Sequence, residues 1–141
     1  MIKRKPSKNP QQKLIRKLDS VFSTYIRMRD ADSNGFIRCC TCGRIAFWKE
    51  SDCGHYHGRQ YMSTRWDESN CHAQCRQCNR FNEGEKAAYK EFLIKKYGQE
   101  AADLLEVKRR LTRRWHRFEL EAMIVLYKEE LKKIEAKPMQ D

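Results

Sequence analysis

The chain has 141 residues, 40% of them hydrophobic, with 30 Lys and Arg against 19 Asp and Glu and a formal charge of +11. That length suits one domain with helical extensions, and six Phe, six Tyr and three Trp supply enough apolar surface to exclude a wholly disordered chain. No apolar run reaches membrane-span length and the start, MIKRKPSKNPQQK, lacks the apolar core of a signal peptide, so the expected location is the cytoplasm, with thiols kept reduced and no membrane partner. The positive charge suits a phosphate backbone, anionic lipid or an acidic protein, and nucleic acid is the simplest partner.

From the N-terminus, residues 1–12 read as a basic flexible arm carrying Pro6 and Pro10. Residues 13–35 read as a helix and turn. Leu14, Leu18, Val21, Phe22, Tyr25 and Ile26 recur at helical spacing between Gln11 and Asp30, and DADSNG then breaks the pattern. Residues 36–84 are Cys- and His-rich and short of long periodic runs, which predicts loops, a hairpin and one helix organised by a metal. Residues 85–141 form a helical extension. It holds a helix over 85–97 with Tyr89, Phe92 and Leu93 inward, a second from Gln99 to about Leu111, the cationic run KRRLTRRWHR, and a last helix. That last helix carries Leu120, Ile124, Tyr127, Leu131 and Ile134 on one face and stops near Pro138.

All seven cysteines lie between Cys39 and Cys78. In a reducing compartment, two CxxC pairs 32 residues apart, Cys39/Cys42 and Cys75/Cys78, read as four thiolate ligands of one structural Zn²⁺. Gly43 permits the tight turn after the first knuckle. Cys40 is an alternative to Cys39, while Cys53 and Cys71 read as packing residues. Between the pairs lie Asp52, His55, His57, Asn70 and His72, with Asn79 directly after the second pair. A general base, an orienting asparagine and a hard divalent ion together suit phosphodiester hydrolysis. Oxygen ligands such as Asp52 and the Asn79 amide suit Mg²⁺. Asp67 and Glu68 read as a solvated turn, and Trp48 and Trp66 as packing for the metal segment. Arg59 and Arg65, with Arg109, Arg110, Arg113 and Arg114 of the cationic run, are the expected DNA contacts.

GHY at 54–56, an asparagine ahead of the second pair and CxxCN together resemble the HNH, or ββα-metal, nucleases in their zinc-bound variant. With the following GQEAADLLE and RRWHRFELEAM, the pattern is similar to the NinG (Rap) family of phage recombination proteins over roughly residues 20–132. The resemblance implies an α+β fold. Its zinc-stapled, treble-clef-like ββα-metal core would lie at 36–84, between N- and C-terminal helices. It implies a structure-directed DNA endonuclease of phage or prophage origin, cutting branched intermediates such as Holliday junctions or D-loops in the host cytoplasm. His55 would be the base, Asn70 would hold the loop carrying it, and Asn79 would bind a catalytic Mg²⁺ or Mn²⁺. Many HNH enzymes place Asp directly before the histidine, where this chain has Gly54. That leaves Asp52 or His57 as the second ligand, with Asp52 favoured. Lambda-type members carry a further N-terminal Cys-containing segment with no counterpart here, so functions housed there do not carry over. Resolving a four-way junction takes two sites, for which a homodimer is the simplest solution; the apolar stripes of the first and last helices are its candidate interface, the alternative being that the two helices pack on each other within one chain. Without the resemblance, a non-catalytic zinc-stapled nucleic-acid-binding module and an adaptor for an acidic protein also fit.

Overall fold

A computed structural model describes residue 3 and residues 9–137. Residues 1, 2 and 4–8 of the expected basic arm, and the stop at Pro138, lie outside the described residues. The fold is mixed: among the described residues, four α-helices pack around two small antiparallel sheets.

Helix α1 spans Pro10–Asp30. Asn9 starts it by accepting the Gln11 N–H at 3.0 Å, and Pro10 occupies a first-turn position where no amide hydrogen is needed. Leu18, Phe22 and Ile26, at i, i+4 and i+8, form its buried stripe. They pack on Leu120, Ile124 and Tyr127 of α4 (Arg117–Glu135), with Phe22 and Tyr127 edge to face at 5.0 Å. Full burial of each such side chain is worth about 1.5–3 kcal/mol, so this helix pair is the main apolar core. The two stripes expected to offer a dimer interface therefore cover each other within one chain. Two separate amphipathic patterns cannot show from spacing alone that they are partners.

Strands β1 (Phe36–Arg38) and β2 (Ile45–Phe47) form one hairpin. Strands β3 (Ser51–His55) and β4 (Cys71–Cys75) form the second sheet, with His55 opposite Cys71 and Ser51 opposite Cys75. The C-terminal end of α1 is fastened to β4. Arg29 donates to the Cys71 carbonyl at 2.8 Å, and Asp30 accepts the Ala73 N–H at 2.7 Å. The single helix expected inside 36–84 is only a five-residue π-helical turn, Gln77–Phe81, with short 3₁₀ turns at Trp48–Glu50 and Glu68–Asn70.

Helix α2 (Lys86–Tyr97) buttresses the second sheet. Its fully buried Tyr89 donates to the Gly54 carbonyl at 2.6 Å, and His72 lies between the hydroxyls of Tyr89 (3.2 Å) and Tyr97 (2.8 Å). Gly98, at φ +95°, makes the sharp turn into α3 (Gln99–Arg109), whose Leu105 completes this second core with Tyr56 and Leu93. The cationic run then leaves α3 and crosses extended to α4. Trp115 sits on that crossing, edge-on to Trp66 at 5.7 Å and donating to the Met62 carbonyl at 2.9 Å. Glu68 is exposed, as expected of a solvated turn, whereas Asp67 is half-buried, and both make specific hydrogen bonds. Asp67 accepts the Ser69 N–H at 2.9 Å, and Glu68 accepts the Tyr25 hydroxyl at 2.8 Å.

Candidate metal centre and cleft

The two CxxC knuckles meet at one end of the sheets. The first turns at the end of β1, where the Gly43 N–H closes on the Cys39 carbonyl at 2.9 Å with Gly43 at φ +77°. The second runs from the last residue of β4 into the π turn, where the Cys78 N–H approaches Cys75 Sγ at 3.5 Å. The sulfurs of Cys39, Cys42, Cys75 and Cys78 all lie within 4.8 Å of one another. Cys40 is not among them. Cys39, Cys75 and Cys78 also make up a buried cluster of their own among the described residues. Burial opposes ionisation of Cys39, yet the Thr41 hydroxyl and nearby backbone N–H groups hold it down to about 6. Burial pushes Cys78 up to about 12. Four clustered soft donors with CxxC spacing fit a structural Zn²⁺, which would hold them all as thiolates.

Beside this clip opens a cleft of about 600 Å³ that brings together Asp52, His55 and Asn79. Asn79, just past the second knuckle, donates from Nδ2 to Asp52 Oδ2 at 3.0 Å, which leaves its amide oxygen for a hard ion. Arg80 grips both Asp52 oxygens, at 2.8 and 2.9 Å. Although burial opposes its charge, these hydrogen bonds hold the Asp52 carboxyl below its ordinary value. A side chain at position 54 would force Gln74 to move, because a Cβ there would lie 2.2 Å from Gln74 Oε1 and 2.9 Å from its Cβ. His57 does not join the group. It is buried against a neighbouring pocket, its Nε2 3.7 Å from Glu106 Oε1 and without a hydrogen-bond partner.

His55 closes β3 with Nε2 2.9 Å from the Arg65 carbonyl. A carbonyl only accepts, so Nε2 carries the proton and Nδ1 keeps the lone pair. Burial lowers the His55 pKa, so the ring is neutral at pH 7. The carbonyl is itself held in place. Asp19 of α1 accepts from Arg65 Nε at 3.0 Å and from Trp66 Nε1 at 3.0 Å. Arg65 is therefore not a free DNA contact: its guanidinium is locked on Asp19, and its backbone positions His55. Removing one partner of such a pair, each about 17% exposed, should cost about 3 kcal/mol. Asp19→Ala is expected to lower unfolding free energy by that amount in a denaturant titration. A loss under 1 kcal/mol would show that the clamp does not hold the 65–66 segment.

Asn70 is fully buried. Its Oδ1 accepts the His57 N–H at 2.8 Å and its Nδ2 donates to the His57 and Thr64 carbonyls at 3.0 and 3.1 Å, which ties the loop after His55 into a fixed shape.

Six basic side chains line the cleft (Arg27, Lys49, Arg59, Arg76, Arg80 and Lys86) against three acidic ones (Asp19, Asp52 and Glu83). Of these basic residues only Arg59 was legible as a contact. Arg76 and Arg80 flank the second knuckle, and that position was the available signal for them. The cationic run lies elsewhere. Arg109 stacks on Tyr61 and pairs with Glu106 at 3.1 Å, Arg113 pairs with Glu119 and covers Trp115, and Arg110 and Arg114 are exposed but do not line the cleft.

A family model described as bacteriophage lambda NinG protein matches residues 1–137. The chain belongs to the NinG family. Over 132 residues, 92% of the chain, it is 33% identical to the protein ninG of Escherichia phage 933W and 33% identical to that of Escherichia phage lambda. The ninG protein of Salmonella phage P22 is 32% identical over the same length. The chain covers 62% of the 933W protein and 61% of the lambda protein, so it spans about three fifths of the length of these curated relatives. No solved structure matches. Among the described residues of this NinG-family chain, no helix is long and apolar enough to cross a membrane.

Proposed function

We propose that this NinG-family chain is a zinc-stapled HNH-type endonuclease that hydrolyses DNA phosphodiesters in the Asp52–His55–Asn79 cleft. The observation that carries the reading is the meeting of a neutral histidine, whose proton is fixed on Nε2, with a carboxylate and an amide in one cationic cleft beside the cysteine clip. His55 would accept a proton from water at Nδ1. Asp52 and Asn79 would hold a Mg²⁺ or Mn²⁺ ion, whose charge stabilises the phosphate and the leaving oxygen. Asn70 acts through the backbone it holds and touches no substrate. The surrounding cations suit a phosphate backbone rather than a base sequence.

Branched DNA, such as a Holliday junction or a D-loop, enters this reading only through the family resemblance. Paired nicks at a four-way junction would take two copies, meeting through a surface other than the α1 and α4 stripes. The bidentate hold of Arg80 on Asp52 favours a second reading, a non-catalytic nucleic-acid-binding module in which that pair is purely structural. One assay separates them: labelled duplex and four-way junction DNA incubated with the protein with and without Mg²⁺. Magnesium-dependent nicking is expected; binding without any cutting supports the module.

DNA affinity should fall steeply with salt, each lost phosphate contact removing about 0.9 from the log–log slope. Neutralising Lys49, Arg59 and Arg76 together is expected to flatten the slope by about 2.7 units, while the pair Arg110 and Arg114 has less effect. A slope that responds only to Arg110 and Arg114 would move the DNA path to the α3–α4 crossing.

A further inference from the structure

The second sheet holds a metal-type cluster that the clip does not use. Cys53 and His55 sit two residues apart on one face of β3, and Cys71 lies directly across from His55 on β4. One ligand atom from each of the three lies within 4.8 Å of the others. Cys53 and His55 line the cleft, whereas Cys71 is fully buried behind them, so the cluster opens toward solvent on one side. Two thiols and an imidazole form a soft donor set that selects Zn²⁺ over Mg²⁺. Three protein ligands with an open fourth position is also how exchangeable zinc sites are built.

We propose that Cys53, His55 and Cys71 form a second site, for Zn²⁺ or a similar soft divalent ion, entered from the cleft. Binding there would form two metal–sulfur bonds with release of both thiol protons, and one metal–nitrogen bond. With Nε2 hydrogen-bonded to the Arg65 carbonyl, Nδ1 is the nitrogen with a free lone pair, so a metal bound through Nδ1 would take the lone pair that would accept a proton from water. Zinc beyond the structural equivalent would therefore switch the cleft off, while Mg²⁺ occupies the oxygen ligands Asp52 and Asn79. The inhibitory half of this inference rests on the nuclease reading; the site itself does not.

The test uses the full chain with its clip filled and its thiols reduced. Dialysis against Zn²⁺ with elemental analysis, and titration with Co²⁺ read by thiolate-to-cobalt absorption, should show two equivalents per wild-type chain. Cys53→Ala should show one, and Cys53→Ser serves as the second variant if the first loses its clip metal. One equivalent in the wild type, or two in both variants, overturns the site. In the cleavage assay, a second zinc equivalent should slow Mg²⁺-supported cutting more than tenfold in the wild type and leave each variant at its own zinc-free rate. Zinc that does not slow the wild type, or speeds it, overturns the switch. Two bound equivalents in a chain that never cuts DNA would defeat the nuclease reading and leave the site standing.

Discussion

Replacing His55 by alanine is expected to slow DNA cleavage by about a thousandfold, the middle of the range for a general base, while fold and DNA affinity persist. On the nuclease reading the ring would contribute one lone pair to chemistry, and it gives one hydrogen bond, to the Arg65 carbonyl, to structure. Asp19 holds that carbonyl segment independently through Arg65 and Trp66, so the loop should survive loss of the ring. The pH profile gives a second readout. Burial lowers the His55 pKa, which favours the base form at neutral pH. The wild-type rate should be flat above the ordinary histidine value, near 6.5, and fall tenfold per unit only below the depressed folded value. His55→Ala should lose that inflexion. Near-wild-type cutting by the variant would place the base elsewhere, and an unfolded variant would make His55 a structural residue.

Cys75→Ser is expected to release the structural zinc and unfold the sheet region. Apparent binding free energies of structural zinc run to about 10–16 kcal/mol, comparable to or above the whole stability of a domain, about 5–15 kcal/mol. Cys75 ends β4, is buried, and shares its end of the molecule with Cys39 and Cys78 alone as a buried cluster. Once the metal leaves, the apolar hold on β1 and β2 falls to side chains such as the buried Ile37 and the exposed Phe36–Phe47 ring pair at 5.8 Å. Circular dichroism with zinc analysis on the same sample checks this. A folded variant that lacks zinc would show that the α1–α4 core and α2 hold the sheets by themselves.

The clip was readable from sequence because CxxC spacing encodes ligand geometry within a few residues. The stripes of α1 and α4 were equally readable as stripes. Their pairing was not, because periodicity names the face that is buried and not what buries it. Arg65 shows the same limit for charge. It reads as one more surface cation, yet its partner Asp19 lies 46 residues earlier on α1. The cationic run drew attention as a block, whereas the cleft gathers single cations from α1, the turns beside β3 and β4, and the start of α2. Asp52 was favoured over His57 as the second ligand, but the linear order alone did not set His57 aside. The turn at Gly58 and the Asn70 hydrogen bonds send His57 to the Glu106 side, and that follows from tertiary contacts alone.

One hard ion is expected to bind between Asp52 and Asn79 beside His55. Anomalous diffraction at the manganese edge, from crystals of the zinc-loaded chain soaked in Mn²⁺, would locate it. The expected result is a manganese peak in the cleft within bonding distance of an Asp52 carboxylate oxygen and the Asn79 amide oxygen, with Arg80 displaced from at least one Asp52 oxygen. Zinc alone in the clip, with the Asp52–Arg80 pair intact and no manganese in the cleft at saturating Mn²⁺, would contradict it.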